Sequence, residues 1–593
     1  MKVKNILILA ILAGSFCACA DLLTPSVENA QSAEQMFEDA ASAQGILGYG
    51  YANLPFETKS TTDIATDDAV TNDLTNGYRL MTQGTWAANN DPMSQWQGRR
   101  ITIQYMNIFL QNADKVEWSS DAKKQAMFVD KLRGEALALR ALNMYYLLRN
   151  HGGWTSEGLM GVPVILEPEG FDSDFDQPRA TFQACVDQIY RDVEEAMALL
   201  PYDYVQLTDA AAIPQKYQEL GVQNPEEYNN IYGARFRGRI SGRIAQTIKA
   251  LTALLAASPA YSEGTDVSYE DAANEAAAVL KHINGVAGMD PTGYKWFMEK
   301  KTIDALGSGD CPPEILWRGS MNKGTEDYAF GLNQEVQNYP PTLYGSGRIN
   351  PTQNLVDAFP MANGYPITDP SSGYSASNPY AGRDPRLAEY VLYNGATYKG
   401  TEIITGSYSS DNNGLNKTAT STRTGYYLRK LLRDDCDPNP SVNNAQYHYP
   451  VYLRYTELFL AYAEAANEAW GPTGTGAHGY SAYDVIKALH DRAGVGNDYL
   501  DSVQGNQEKM RELIRNERRI ELCFENKRFW DMRRWKLDLT ETAKGMKIDQ
   551  AGGSLQYTVI DVEPRNYAGH MYYGPIPETE VLKWSNLDQN MGW

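Results

Sequence analysis

The side chains that most often carry out catalysis are scattered along this chain of 593 residues. Its six histidines lie far apart, at His151, His282, His448, His478, His490 and His570. No pair has the His-Glu-x-x-His spacing of a zinc hydrolase, and no Gly-x-Ser-x-Gly turn follows residue 18. Hydrolysis by two carboxylates about 5–10 Å apart needs no motif, and the 74 acidic residues leave that chemistry open as an alternative. The pattern otherwise predicts a protein that is not an enzyme.

Two acidic turns have the oxygen-rich composition that calcium prefers. They contain Asp172, Asp174 and Asp176, and Asp434, Asp435 and Asp437. In the first turn Gln177 stands where a calcium-binding loop needs glycine, and Gln183 where it needs a bidentate glutamate. We therefore interpret both turns as solvated and predict no cofactor and no resident metal, with a loose structural calcium site as the alternative.

The amino terminus has the pattern of an export signal. Lys2 and Lys4 precede an apolar run at 6–13, which is far shorter than the roughly 20 residues needed to span a bilayer. No later apolar stretch approaches that length. Residues 1–18 are therefore predicted to be a signal peptide that is removed, and the rest of the chain to fold in water.

The predicted cleavage point lies beside a cysteine, as in bacterial lipoproteins, where the thiol of the first mature residue receives lipid. Cys19 is the predicted acceptor because the small Ala18 precedes it, and Cys17, after the bulky Phe16, is the alternative. Several acyl chains make release from a membrane negligible, so this anchor would be the only contact with lipid. The other cysteines, Cys185, Cys311, Cys436 and Cys523, have no metal or redox spacing and are predicted to be buried thiols.

The charge balance excludes one class of partner. The chain has 53 basic and 74 acidic residues and a formal net charge of −21. Binding to phosphate backbones needs a basic face, so nucleic acid is not expected as a partner.

Apolar residues recur every three or four positions in several segments, as in amphipathic helices. Four helices are predicted around 132–142, 182–200, 240–255 and 455–466, and a charged helix from about 509 to 535. Helices of this length joined by short breaks are similar to tetratricopeptide repeats. The fold class predicted is mostly α, a tetratricopeptide-like helical scaffold with irregular regions of loops and short hairpins between the helices.

The charged helix has acids and bases three residues apart, which is pairing distance on a helix. The pairs are Arg518 with Glu521, Glu525 with Arg528, and Asp531 with Arg534. Removing one partner of a buried pair costs about 3–5 kcal/mol. We therefore predict that these charges fix helix packing and do not form a binding site.

Five blocks in the second half of the chain carry a family pattern. The most specific is 513–531, LIRNERRIELCFENKRFWD, and the closing block at 574–590 begins with Gly-Pro-Ile-Pro-Glu. Shorter blocks lie at 351–359, 383–387 and 453–465. In this order, and behind a lipoprotein signal, they resemble the SusD/RagB family over nearly the whole mature chain.

The resemblance implies a lipid-anchored protein of the outer-membrane surface, of the Bacteroidetes type, that binds a nutrient glycan. It would pass this glycan to a SusC-like TonB-dependent transporter. It also implies one SusD-like domain over 19–593, with the helical scaffold mainly at 30–260 and 450–540 and a signature segment at 570–593. Ligand-facing regions are expected mainly at 58–96 and 260–440. A peptide-capturing member of the same family and a glycoside hydrolase are the alternatives.

Glycan capture needs flat aromatic planes beside polar groups, because the C–H face of a sugar stacks on indole or phenol and its hydroxyls need partners. The chain has 39 tyrosines and 11 tryptophans. The predicted ligand residues are the members of three clusters outside the predicted helices: Trp86, Asn89, Asn90, Asp91 and Trp96; Tyr294, Trp296 and Phe297; and Trp317 and Arg318.

Overall fold

The computed structural model describes residues 33–57, 62–324 and 333–593. The predicted signal peptide, Cys19 and its alternative Cys17 lie outside these residues. Within the described ranges, none of the helices combines the length and the apolarity that crossing a bilayer requires.

Helices form the larger part of the regular structure. In chain order they are α1 (Ala33–Glu38), α2 (Ala40–Ala52), α3 (Gly77–Leu80), α4 (Trp96–Asn112), α5 (Ala122–His151), α6 (Phe182–Leu199), α7 (Gln215–Glu219), α8 (Pro225–Tyr232), α9 (Gly242–Ala257), α10 (Tyr269–Leu280), α11 (Lys300–Asp304), α12 (Asn333–Asn338), α13 (Gln353–Ala358), α14 (Pro385–Tyr390), α15 (Tyr455–Trp470), α16 (Ala482–Ala493), α17 (Asp498–Val503), α18 (Gln507–Leu522), α19 (Arg528–Arg534) and α20 (Glu578–Lys583).

The long helices pack side by side in a continuous series. α2 contacts α4, which contacts α5, and the series continues through α6, α9, α10 and α15 to α18. Their apolar stripes form one core, in which Phe182, Ile248 and Phe459 are almost completely buried. Each helix thus covers the apolar face of its neighbour, which confirms the mostly α, tetratricopeptide-like scaffold.

Local signals define the helix ends. A capping box starts α10, where the Ser268 hydroxyl accepts from the Asp271 amide and the Asp271 carboxylate accepts from the Ser268 amide. Gly494 ends α16 in the left-handed conformation, with φ of 75°, which favours glycine. These signals fix where each helix stops and so where the connecting segments emerge.

The single charged helix predicted from about 509 to 535 is wrong. The chain leaves helical geometry after α18 because Phe524 and Asn526 adopt left-handed conformations, with φ of 61° and 59°. The Lys430 ammonium donates to the main-chain oxygens of Glu521 and Cys523 at 2.8 and 2.9 Å and stabilises the break. The signature block is therefore two helices, α18 and α19, at an angle to each other.

The charges of this block are structural, as predicted, but two of the three predicted pairs are wrong. Asp531 pairs with Arg534 at 2.8 Å. Because of the bend, the other charges form different ion pairs. Arg518 pairs with Asp531, and Arg528 pairs with Asp67. Glu525 pairs with Arg454 and Lys430. These ion pairs join segments that are far apart in the chain, so they fix the tertiary packing of the block.

The strands are short and pair in twos, always antiparallel among the described residues. They are β1 (Ala69–Thr71) with β5 (Ile349–Pro351), β2 (Gly153–Thr155) with β3 (Gly158–Met160), β4 (Ile315–Arg318) with β10 (Val451–Arg454), β6 (Val391–Leu392) with β9 (Tyr427–Leu428), β7 (Ala396–Tyr398) with β8 (Thr401–Ile403), and β11 (Ala543–Ala551) with β12 (Ser554–Glu563). This agrees with the irregular regions of loops and hairpins that the sequence predicts.

The scaffold extends beyond the boundary predicted at residue 260. Helix α10 lies inside the range expected to face a ligand, yet it packs against α9 and α15. In the other predicted excursion, Asp67 is buried and its carboxylate binds Arg519 and Arg528 at 2.8 Å. Part of each predicted ligand-facing region therefore belongs to the packed interior.

A buried histidine at the end of α5 should make stability depend on pH. The His151 ring is completely buried, its Nδ1–H donates to the Pro575 carbonyl at 2.6 Å, and its Nε2 accepts from the Gln95 amide at 3.1 Å. Both ring nitrogens are thus satisfied in the neutral form, and burial lowers the pKa of His151 to about 4.

The unfolded chain therefore binds a proton near pH 6.5, whereas the folded chain binds it only near pH 4. We expect the stabilisation by His151 to be fully present above pH 6.5 and to decrease by about 3 kcal/mol as the pH falls to 4. Urea unfolding of the wild type and of His151→Gln at several pH values would measure this. The difference in unfolding free energy between the two should shrink with falling pH, and a constant difference would contradict the prediction.

Candidate ligand-binding site

An open cavity lies between the helical scaffold and the irregular region. We call it the main cavity. Its walls come from the end of α5, the 3₁₀ turn Gly293–Met298, the segment 447–454, and the segment 524–530, which runs from the turn after α18 into α19. The signature block therefore contributes one wall of the cavity as well as packing the scaffold.

Strand pairing positions the wall of the main cavity that contains Tyr447, Tyr449 and Tyr452, which we call the aromatic wall. In the β4–β10 pair, Val451 lies opposite Arg318 and Leu453 opposite Trp317. The pairing continues past the strand ends, where the main chains of Asn322 and His448 exchange two hydrogen bonds of 2.9 Å. The tyrosines of 447–452 are thus held beside the segment that contains Trp317.

Tyr449 and Tyr452 connect the aromatic groups of this wall. The Tyr449 ring centroid lies 5.5 Å from that of Trp296, and the Arg318 guanidinium lies 5.3 Å from the Tyr449 ring. Tyr452 stacks on Phe56, with ring centroids 4.6 Å apart and an interplanar angle of 11°. The wall is therefore built from aromatic rings of three separate parts of the chain, with Arg318 from a fourth.

A second concavity adjoins the main cavity. This recess is lined by Trp317, Arg318 and Met321, and it shares Tyr447 and Tyr452 with the main cavity. Tyr447 has 39% of its surface exposed, and the Lys323 ammonium lies 5.5 Å from the centre of its ring. An exposed phenol plane thus stands where the two concavities meet.

Three buried polar atoms around the main cavity have no hydrogen-bond partner among the described residues. They are Trp296 Nε1, Tyr449 Oη and Glu57 Oε2. A buried polar group without a partner costs about 1–3 kcal/mol. A ligand with several hydroxyl groups could satisfy both the donors and the acceptor.

The charges around the main cavity are largely balanced. Lys527 pairs with Glu457 at 2.8 Å, and Arg433 pairs with Asp304 at 2.8 Å. Burial raises the pKa of Glu57, against the opposing effect of the nearby Arg149 and Lys527. The cavity therefore concentrates neither sign of charge, which suits an uncharged ligand.

The structure brings together two of the three predicted aromatic clusters. Trp296 and Phe297 line the main cavity, and Trp317 and Arg318 line the adjoining recess. Tyr294 is partly exposed and its carbonyl accepts from Tyr390, but it does not line either concavity. The role of these five residues in binding stays a prediction.

Three of these predicted ligand residues are almost completely buried, which does not suit direct contact with a ligand. Phe297, Trp317 and Arg318 are only 3%, 1% and 6% exposed. The Trp317 Nε1–H donates to the Gly238 carbonyl, and the Arg318 guanidinium donates to the carbonyls of Gly307, Asp310 and Gly319. These side chains therefore support the wall from behind and offer a ligand little surface.

The two rings of the first predicted cluster are buried as well, since Trp86 and Trp96 are each 3% exposed. The Trp86 ring packs against Phe529 and Trp593 and its Nε1–H donates to Asp91 at 2.8 Å. α19 and the last residues of the chain therefore cover Trp86. It is far from a free aromatic plane.

The polar members of the first cluster stay predictions as ligand residues. Asn89 and Asn90 are exposed on a tight turn, and the Asn90 side chain donates to the Thr85 carbonyl at 2.8 Å. Asp91 accepts from the Trp86 ring and the Met93 amide. The turn is thus closed by its own hydrogen bonds.

The residues missed by sequence reasoning are Tyr447, Tyr449 and Tyr452. A signal for them is present, because three tyrosines within six residues come directly before the family block at 453–465. Such a run of aromatic residues is typical of a strand that is half buried. Tyr447 is the member that a ligand can reach most easily.

Neither acidic turn brings together the ligands of a calcium ion among the described residues. The Asp176 carboxylate accepts from the Ser585 hydroxyl at 2.6 Å and from the Asn586 amide at 2.8 Å, so it docks the carboxyl-terminal segment. In the second turn, Asp435 pairs with Arg433 and Asp434 with Lys300. Within the described ranges, the side chains close enough to share one metal ion are Glu335, Cys436 and His448.

Two family models match this chain. One describes the SusD family and matches residues 313–593, and the other, described as starch-binding associating with outer membrane, matches residues 28–215. The two matches do not overlap and together include most of the chain. The chain belongs to the SusD/RagB family.

A curated relative agrees with this assignment. SusD-like protein P2 of Formosa agariphila is 30% identical to the chain over 142 residues. The match spans 23% of this chain and 24% of that protein. It therefore supports membership of the SusD/RagB family over a limited region.

Solved structures of SusD-like proteins have the same fold. A SusD-like protein from Bacteroides fragilis is 22% identical, with a TM-score of 0.70 over 96% of this chain and 100% of that chain. A SusD-like carbohydrate binding protein from the same species is 20% identical, with a TM-score of 0.66 over 93% of this chain and 100% of that chain. At these identities the likeness shows the SusD fold.

Proposed function

We propose that this SusD-like protein binds a glycan in the main cavity and the adjoining recess, and delivers it uncleaved to a SusC-like TonB-dependent transporter. The observation that supports this most strongly is the exposed Tyr447 ring at the junction of two concavities that also contain Trp296 and Tyr452. A carbohydrate binding protein with the same fold adds support.

The dimensions of the site favour an oligomeric ligand. Two concavities that share Tyr447 and Tyr452 offer a path longer than either alone. Each sugar ring of a chain lying along this path would meet an aromatic plane or an unpaired polar atom. A single small molecule would use only part of this surface.

The balanced charges support a neutral ligand. The cations that line the main cavity include Lys527 and Arg433, and both already face carboxylates. Burial opposes ionisation of Glu525, but Arg454 and Lys430 hold the pKa of its carboxyl at about 2, so it stays an ion-pair partner. A neutral glycan therefore leaves these ion pairs intact.

Lipid attachment at Cys19 would make weak binding sufficient. A protein held at the outer-membrane surface beside its transporter works at a high local concentration of binding sites. Binding constants from micromolar to millimolar, about −8 to −4 kcal/mol, are then enough for capture and release.

Replacing Tyr447 by alanine tests the site. We expect glycan affinity to fall by about tenfold or more, because a lost stacking plane worth about 1.4 kcal/mol changes the binding constant tenfold. The Arg433 guanidinium donates to the main-chain oxygen of Tyr447, at 2.9 Å, so alanine keeps this contact. Affinity electrophoresis and calorimetry against a glycan panel would measure the loss.

The matched control is Phe171→Ala, which removes a fully exposed aromatic ring outside both concavities. It should bind glycan like the wild type. Equal losses of glycan affinity in the two variants would contradict the proposal that Tyr447 is part of the binding site. Retention of oligopeptides with indifference to every glycan would establish the peptide-capturing alternative, and release of reducing sugar would establish a glycoside hydrolase.

A further inference from the structure

Three potential metal ligands lie close together beside the aromatic wall. Glu335 comes from α12, Cys436 from the segment after β9, and His448 from the residues before β10. One ligand atom from each lies within 4.8 Å of the other two. All three side chains are buried, with exposures of 0%, 0% and 8%.

The hydrogen bonds of His448 orient it for coordination. Its Nδ1 lies 3.0 Å from the Gln446 carbonyl, so an N–H at this position donates to that oxygen. In this tautomer the Nε2 lone pair points at Glu335 Oε1, 2.9 Å away. Two lone pairs that face each other at this distance need a positive charge between them, which is either a proton or a metal ion.

Glu335 has coordination capacity left over. Its Oε1 accepts from the Arg433 amide at 2.8 Å. Its Oε2 is buried and has no hydrogen-bond partner among the described residues. A buried carboxylate oxygen without a partner is costly, and a cation in the cluster would satisfy it.

We propose that Glu335, Cys436 and His448 bind a zinc ion that fixes the aromatic wall of the ligand site. Zinc binds thiolate, imidazole and carboxylate donors, and these three together with one water molecule would complete a tetrahedral arrangement. Zinc distances of about 2.0–2.3 Å put neighbouring ligand atoms roughly 3.3–3.7 Å apart. His448 Nε2 and Glu335 Oε1, now 2.9 Å apart, would therefore move slightly apart to admit the ion, and the wider separations in the cluster would shorten. Calcium, which prefers six to eight oxygen ligands, does not suit a thiolate and an imidazole.

The charges and second-sphere contacts agree with this proposal. The Cys436 thiol releases its proton to solvent on binding, and its thiolate and the Glu335 carboxylate then balance the two positive charges of zinc. The Gln446 carbonyl holds the His448 ring, as outer-sphere acceptors do for zinc-bound histidines. The Lys399 ammonium donates to the Cys436 carbonyl at 2.6 Å and fixes that segment.

The ion would connect α12 with two neighbouring segments about a hundred residues later in the chain. His448 lies between Tyr447 and Tyr449, and its own side chain lines the main cavity. Binding of zinc at His448 therefore holds both tyrosines in place against α12 and the segment at Cys436. The role is structural and goes beyond glycan capture.

Metal content tests the proposal. The full chain is incubated with zinc chloride, dialysed and analysed by mass spectrometry for bound metal. We expect about one zinc ion per chain, and retention reduced about tenfold or more in Cys436→Ser and in Glu335→Gln. Zinc should also raise the melting temperature of the wild type but not of these variants, whereas calcium chloride should have no such effect.

The matched control is Cys185→Ser, because Cys185 is a buried thiol outside the cluster whose hydrogen bonds with Val162 a hydroxyl can keep. It should retain zinc like the wild type. Circular dichroism of Glu335→Gln shows whether loss of zinc reflects loss of fold. Equal zinc retention in folded Glu335→Gln and in the wild type would overturn the proposal and leave a proton shared by His448 and Glu335.

Discussion

Replacing Arg386 by alanine should lower the free energy of unfolding by about 5 kcal/mol, at the upper end of the cost of breaking a buried ion pair. The Arg386 side chain is completely buried and donates to three carboxylates. Its partners are Asp384 at 2.7 Å, Glu521 at 2.9 Å and Glu517 at 3.0 Å. Removing the guanidinium leaves three buried acids without their shared cation.

The pKa of Glu517 also indicates that this carboxylate depends on Arg386. Burial alone would raise the pKa of Glu517, but the Arg386 guanidinium and the His490 ring hold it well below its usual range. Without Arg386, burial would favour the protonated acid. The loss of stability should therefore be largest near neutral pH. It should be smaller in acid, where the carboxyl groups are protonated in the unfolded chain as well.

Urea unfolding of Arg386→Ala would measure this loss, with Arg237→Ala as the control. Arg237 pairs with Asp310 at the same distance of 2.7 Å, but the two side chains are 45% and 42% exposed. Exposed pairs contribute about 0–1 kcal/mol, so the control should change little. Similar losses in both variants would show that burial of the Arg386 cluster is not what matters.

Replacing Trp86 by alanine should lower the free energy of unfolding by about 4 kcal/mol, as for other buried aromatic residues cut back to alanine. The ring is 3% exposed and packs against Phe529 and Trp593, with centroids 5.9 and 4.9 Å away. Its loss leaves a cavity under α19 and leaves Asp91, the acceptor of its N–H, with one partner fewer.

Calorimetric melting and glycan binding of the same Trp86→Ala sample separate structure from recognition. The melting temperature should fall, while the folded fraction should bind glycan with unchanged affinity because Trp86 lines neither concavity. The opposite result, normal melting with lost glycan binding, is what the sequence alone predicts for a loop tryptophan. That result would place the glycan-binding site at the first aromatic cluster.

The helical scaffold could be predicted because its signals are local. The apolar period at 182–200 gives α6 almost residue for residue, since the helix observed is Phe182–Leu199. Periodicity depends only on neighbours within a few turns. The family blocks likewise predicted the SusD fold, because they are read along the chain.

The accessible surface could not be predicted in the same way. Whether Trp86 is a binding plane or a core residue depends on Trp593 and Phe529, which are hundreds of positions away. The bend between α18 and α19 depends on left-handed conformations at Phe524 and Asn526, which no helix propensity at those positions indicates. Burial and the bend are both tertiary effects. For that reason the three predicted clusters differ in whether their side chains line a concavity.

The aromatic wall is directly connected to the helical scaffold, with no loop between them. β10 ends at Arg454 and α15 begins at Tyr455. Arg454 is almost completely buried and binds Glu314 and Glu525, each at 2.7 Å. A ligand bound at this wall would therefore meet a rigid, preorganised surface, and little conformational entropy would be lost on the protein side. Selectivity among ligands should accordingly come from shape match, with small differences between bound and free protein in heat capacity and hydrogen exchange.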